Sequence, residues 1–120
     1  MKQIIVIMSI FTTLFGNKEQ QNINVKLLSP IEYKAQIQNK NVQLVDVRTA
    51  KEFNEGHIKG SKNIDFYSAA FNNEFSKLDK EKPVYIYCRS GARSGQSAKK
   101  LTTMGFKEIY DLKGGYLNWK

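Results

Sequence analysis

Two rhythms of apolar and polar positions alternate along this 120-residue chain. Short runs with apolar residues stand at 25–28 (Val-Lys-Leu-Leu), 42–47 (Val-Gln-Leu-Val-Asp-Val), 83–87 (Pro-Val-Tyr-Ile-Tyr) and 107–112, and a briefer, more polar strand candidate stands at 62–65 (Lys-Asn-Ile-Asp). Runs of this length, rich in β-branched and aromatic residues and bounded by turn formers, predict strands. The run at 83–87 is the strongest, with Pro83 at its start. Between the runs, helix signals recur. Ser29-Pro30-Ile31-Glu32 joins a serine cap, proline in the first turn and a glutamate three residues on, predicting a helix to about Gln38. Thr49-Ala50-Lys51-Glu52 repeats the capping pattern and predicts a short helix ending before Gly56. Helices are further predicted over 68–78 and 94–104, the latter closed by Gly105, and a short turn or helix carrying Trp119 follows Gly114-Gly115.

Strands alternating with helices predict an α/β domain built on a central, mainly parallel sheet, with binding groups at the carboxyl ends of the strands. Asp46 and Cys88 both fall at such ends. The folded domain is expected over 25–120, since 17–24 is polar and reads as a linker. Ahead of it, residues 4–16 form an apolar stretch behind Lys2. It is short for a bilayer span but suits the apolar region of a signal peptide, which favours export over a cytoplasmic location. Its cleavage signal is poor, and Asn17 stands where a lipidated cysteine would follow Leu14-Phe15-Gly16. Membrane contact is expected only through this segment.

Composition narrows the picture modestly. A chain of this length buries about two-thirds of its unfolded surface, so a core is possible without disulfides or metals. The formal charge is +8, with 19 basic residues, all lysine except Arg48, Arg89 and Arg93. The lysines are scattered rather than clustered, which points to a solvated surface and not to a nucleic-acid face. The single cysteine excludes an internal disulfide, and with a single histidine it excludes a Cys/His zinc site; no metal or organic cofactor is expected.

The segment Cys88-Arg89-Ser90-Gly91-Ala92-Arg93-Ser94, between a strand and a helix, concentrates the chemistry. A free thiol titrates near about 8.5 and is largely inert at neutral pH. Facing a helix N-terminus and arginines it drops to about 3.5–7.5, because partial positive charge stabilises the thiolate. Amides of a tight loop entering a helix form a concave anion site, and Gly91 permits the backbone turn that this requires. Arg89 and Arg93 add donors for an anionic substrate.

These residues, with Leu44-Val45-Asp46-Val47-Arg48, Glu52-Phe53, Gly56-His57-Ile58-Lys59-Gly60-Ser61-Lys62-Asn63-Ile64 and the closing Gly114-Gly115 with Trp119, resemble the single-domain rhodanese family. The likeness runs from about Leu27 to Trp119, with Ser61 where alanine is usual. It implies a rhodanese-like three-layer sandwich and a thiosulfate sulfurtransferase. Cys88 would take sulfane sulfur from an anionic donor as a persulfide, and cyanide or a thiol, either small or on a thioredoxin-like protein, would remove it. Arg89, Ser90, Gly91, Ala92 and Arg93 would bind the donor and its charge. Asp46 and Arg48 would support the loop, through an ion pair with Glu52. His57 matches a turn in the family's signature and reads as structural, not as a general base.

Two other readings compete. Phosphatases and arsenate reductases of the same fold resemble Cys followed by five residues and then Arg, a wider cradle for a tetrahedral oxyanion. Here Arg93 closes the loop one position earlier, which favours a sulfur atom. A persulfide-carrying or regulatory binding module is the other alternative; such modules have often lost the cysteine that this chain retains.

Overall fold

The computed structural model describes residues 25–119, so the signal-like segment and linker expected over 1–24 lie outside the described residues. The chain runs β1 (Val25–Leu28), α1 (Pro30–Ile37), β2 (Gln43–Asp46), α2 (Ala50–Glu55), β3 (Lys62–Asn63), α3 (Phe71–Ser76), β4 (Val84–Tyr87), α4 (Ala92–Met104) and β5 (Ile109–Leu112). A 3₁₀ turn over Tyr116–Asn118 follows. The strands form one sheet in the order β1-β5-β4-β2-β3, and every pairing is parallel. The expected α/β sandwich is present, and its sheet is wholly parallel among the described residues.

Side-chain alternation divides the core into two. On one face Val45, Val47, Val84, Ile86, Cys88 and Ile109 pack with Phe71 and Phe75 of α3 and with Ala98 and Leu101 of α4. On the other, Leu44, Tyr85, Tyr87 and Leu112 pack with Tyr33 and Ile37 of α1 and with Ile58. Covered on both faces, β4 is buried at every position, which explains its unbroken apolar run. The Tyr33 hydroxyl donates to the Ile86 carbonyl at 3.0 Å, giving a buried polar tip a partner.

Both capping boxes form, Ser29 with Glu32 and Thr49 with Glu52. The helix expected over 68–78 is shorter. Asp65 and Ser68 accept from the amides of Tyr67 and Ala70 with their side chains, making turns that compete with helix until Phe71. At the other end Lys77 and Leu78 bond back three residues, tightening the last turn. Helix α4 opens at Ala92, two residues earlier than expected, because Gly91 turns the chain at φ 120° and ψ −17°.

Two ties close the carboxyl end of the sheet. Arg93 in α4 grips Glu52 in α2 with both terminal nitrogens, at 2.7 and 3.0 Å. Beyond β5, Gly115 adopts φ 64° and ψ −162°, a conformation close to glycine-only, and lays the next residues against the end of β4. A Cβ at Gly115 would fall against the Arg89 carbonyl and 2.7 Å from that of Cys88. Gly115→Ala is therefore expected to destabilise the fold by about 1–3 kcal/mol or more, read as a lower urea midpoint with an unchanged slope.

The Glu52 pair also carries a pH signature. Its hydrogen bonds from Arg93 outweigh partial burial and, helped by Thr49, lower the Glu52 carboxyl to about 2 from its ordinary 4.5. A depressed carboxyl stabilises the fold above the unfolded value and loses that contribution as pH falls from about 4.5 to about 2. Urea midpoints measured across that window are expected to fall less steeply for Arg93→Ala than for the unmodified protein.

Candidate functional site

Cys88 follows directly on β4, at the carboxyl end of the central strand, and its side chain points to the α4 face with 1% of the residue exposed. The chain then turns through Arg89, Ser90 and Gly91 and enters α4. The Gly91 amide donates to Cys88 Sγ at 3.0 Å. The thiol in turn donates to Ser94 Oγ at 3.3 Å, and that hydroxyl donates to the Gly91 carbonyl at 3.3 Å. The sulfur therefore lies within the first turn of a 13-residue helix whose cap, Gly91, offers no side-chain hydrogen bond. Helices α1 and α2 satisfy their first amides with capping boxes. The α4 terminus has no such cap, and its partial positive charge faces a group that becomes an anion on ionisation.

The back of the loop is fixed by the closing segment. Tyr116 and Leu117 amides donate to the Cys88 and Arg89 carbonyls at 2.8 and 3.1 Å. Tyr116 is itself positioned by Arg48, whose guanidinium lies 4.4 Å from its ring centroid and 5.7 Å from that of Tyr87. Arg48 is buried, and it donates to both carboxylate oxygens of buried Asp46 and to the Gly56 carbonyl. Asp46 has the same strand parity as Leu44, so this pair occupies the sheet face opposite Cys88. Tyr116 connects it to the loop.

Charge is arranged differently from the sequence expectation. Glu52 pairs with Arg93, and Arg48 pairs with Asp46; the expected link from the Asp46 and Arg48 pair to Glu52 does not form. The reason is direction. Asp46 lies two residues from Arg48 on the face under the sheet, while Glu52 looks across to the first turn of α4. Arg93 thus has its forked end occupied by Glu52 and offers the loop mainly its charge. Arg89 is exposed, and its side chain has no ion pair or hydrogen bond among the described residues. Ser90 and Ala92 are exposed at the loop's outer edge, and Gly91 is half-buried. His57 is stacked on Phe53 at 3.7 Å between centroids, and its Nδ1 lies 2.8 Å from the Phe53 carbonyl. It is occupied in that turn and makes no contact with Cys88.

Two side chains to which the sequence assigns no chemical role stand near the sulfur. Ser94 ends the Cys88 segment and begins the expected helix, and it stands in the first turn of α4 against Sγ. Asp111, from the middle of β5, lies against Ser94. Its signal was a lone carboxylate within Ile-Tyr-Asp-Leu, an otherwise apolar strand. A groove of about 610 Å³ opens elsewhere, between Lys34, Lys40, Lys59 and Trp119, and does not include Cys88.

The chain matches the Rhodanese-like domain family over residues 29–120. It is 38% identical over 96 residues to thiosulfate sulfurtransferase GlpE of Coxiella burnetii, covering 79% of this chain and 87% of that protein. It is 40% identical over 100 residues to the uncharacterized protein YqhL of Bacillus subtilis, covering 83% and 75% respectively. Among solved structures, a rhodanese-like domain protein from Staphylococcus aureus superposes with a TM-score of 0.70 at 29% identity, over 79% of this chain and 91% of that one. The human single-domain sulfurtransferase TSTD1 gives 0.62 at 26% identity, over 78% and 93%. With its parallel sheet and its cysteine loop at the end of the central strand, the chain belongs to the rhodanese-like domain family.

Proposed function

We propose that this protein is a sulfurtransferase that carries sulfane sulfur as a persulfide on Cys88. The observation carrying this reading is the setting of Sγ, which receives the Gly91 amide at 3.0 Å within an α4 terminus that has no side-chain cap. Such a setting favours a sulfur anion, first the thiolate and then the persulfide. Relatives named thiosulfate sulfurtransferase, at 33–38% identity, support thiosulfate as a donor.

In the first half-reaction the Cys88 thiolate attacks the outer sulfur of thiosulfate. A bond forms between Sγ and that sulfur, the sulfur–sulfur bond of thiosulfate breaks, and its electron pair leaves with sulfite. Three negative charges enter and three remain, divided between persulfide and sulfite. The new terminal sulfur stands about 2.05 Å beyond Sγ, nearer the loop's mouth, which suits its removal by an acceptor. A nucleophile, cyanide or a thiol on a small molecule or a thioredoxin-like protein, then attacks the terminal sulfur and returns the Cys88 thiolate. This is covalent catalysis in two displacement steps. The near-complete burial of Cys88 favours a slender donor whose reactive sulfur is terminal.

Arg89 is the cation best placed to hold the sulfonate end of the donor, because its guanidinium is unengaged. Arg93 adds charge while Glu52 holds it. The loop amides from Arg89 to Arg93, including those of Ser90, Gly91 and Ala92, line the anion's place. Asp46 and Arg48 act at one remove, by fixing Tyr116 against the loop.

Intact-protein mass after exposure to thiosulfate tests the reading. The protein is expected to gain one sulfur atom, to lose it to cyanide, and to gain none as Cys88→Ser. His57→Ala is expected to transfer sulfur at nearly the unmodified rate. Hydrolysis of an aryl phosphate without a sulfur gain would instead favour the phosphatase reading. Arg89→Ala is expected to raise the KM for thiosulfate about tenfold, with kcat changed less, as one charge-assisted contact is lost.

A further inference from the structure

We infer that Asp111, acting through Ser94, is a positioning residue that governs the ionisation of Cys88. Asp111 lies on the same sheet face as Cys88: it pairs in register with Ile86, two residues before the cysteine on the neighbouring strand. It is 4% exposed, and its Oδ1 is buried with no hydrogen-bond partner among the described residues. A carboxylate in that state is costly, and an apolar residue would suit this strand position better. The group it does meet is the Ser94 side chain, and Ser94 Oγ is the atom 3.3 Å from Cys88 Sγ. The three side chains thus form a line from β5 through α4 to the reactive sulfur.

The chemistry follows from counting protons. Ser94 has one hydroxyl proton, and three acceptors compete for it: the Gly91 carbonyl, the Asp111 carboxylate and, once ionised, Cys88. While Asp111 is charged it draws that proton away from the sulfur and adds a negative charge nearby, and both effects oppose a second anion. When Asp111 is protonated it donates to Ser94, and the hydroxyl turns its proton to Sγ. The sulfur then has two donors, Ser94 and the Gly91 amide. Charge on either group therefore opposes charge on the other.

The surroundings leave this coupling undisturbed. Burial raises the Asp111 carboxyl to about 6 from its ordinary 3.8, against the lowering effect of Ser94 and the Leu112 amide, so it changes charge close to neutral pH. From α1, beneath the sheet, the Tyr33 phenol is held neutral because burial, chiefly, and then the charge of Asp111 raise it well above 10. From α4 the group facing Asp111 is Ser94, and just beyond β4 Cys88 shares its sheet face. β1 presents no ionisable group on that face, since its one charged side chain, Lys26, is exposed and in register with Tyr110. Arg93, whose charge reaches Cys88, is committed to Glu52.

The inference deepens the sulfur-transfer reading but is tested on the thiol alone, so the two fail separately. The rate of Cys88 alkylation by iodoacetamide, followed by intact mass, is measured from pH 5 to 10. In the unmodified protein the profile is expected to depart from a single titration, with an added step near pH 6. Asp111→Asn is expected to remove that step and move the thiol midpoint down by about half a pH unit, a roughly threefold rise in rate at neutral pH. Asp111→Leu, which suits the apolar strand, should move it the same way. A single-titration profile in the unmodified protein, or midpoints unmoved or raised in both neutral variants, would overturn the inference. Loosened packing alone would not lower a midpoint while preserving its shape. Sulfur transfer with no coupling would leave the proposed function standing, and coupling without transfer would leave this one.

Discussion

One residue is held from two sides, and the rest of the architecture depends on it. The Cys88 carbonyl accepts from Tyr116 at 2.8 Å while its sulfur accepts from Gly91 at 3.0 Å. The first bond comes from the segment beyond β5, the second from the turn into α4. Between them they determine where the sulfur sits relative to the helix terminus. Both donors are backbone amides, which do not titrate, so the residue is held by groups whose own charge is fixed. On the proposed sulfur-transfer reading, donors of fixed charge would hold the sulfur in place whatever its own ionisation.

The requirement reaches outward through the fold. Tyr116 can donate to Cys88 only if its chain lies flat against the loop, which Gly115 permits and the Arg48 guanidinium stabilises from beneath. Arg48 is in turn fixed by Asp46 and the Gly56 carbonyl, and Gly56 ends the helix whose Glu52 holds Arg93. The two arginine–carboxylate pairs therefore serve opposite sides of the sheet. One secures the closing segment on the face away from the sulfur, and the other secures the first turn of α4 on the face that carries it. Replacing either arginine by lysine would keep the charge and lose the fork that makes these contacts.

Much of this was legible in the residues. The capping boxes at Ser29 and Thr49, the apolar run ending in Cys88 and the glycine three residues on are local signals, and each produced the element or turn it predicts. What was not legible was pairing. Arg48, Arg93, Glu52 and Asp46 form two ion pairs, but sequence spacing cannot say which cation meets which anion, because that depends on strand order. Ser68 misled for a related reason. Its side chain satisfies a backbone amide locally and delays the helix to Phe71, a competition that helix propensity alone does not register.

Asp111 shows where reasoning from pattern stops. In a strand buried on both faces a carboxylate contradicts the apolar rhythm, and that contradiction is visible in the sequence. Its meaning is not, because the residue lies 23 positions from Cys88 and meets it only through the β4–β5 pairing and the first turn of α4. Parallel neighbours place their carboxyl ends side by side, so a polar residue near the end of one strand falls beside the reactive end of the next. A carboxylate placed there without a full set of donors opposes any anion on the sulfur. On the proposed sulfur-transfer reading, that opposition would favour release, since a site that only stabilised a persulfide would bind it without releasing it.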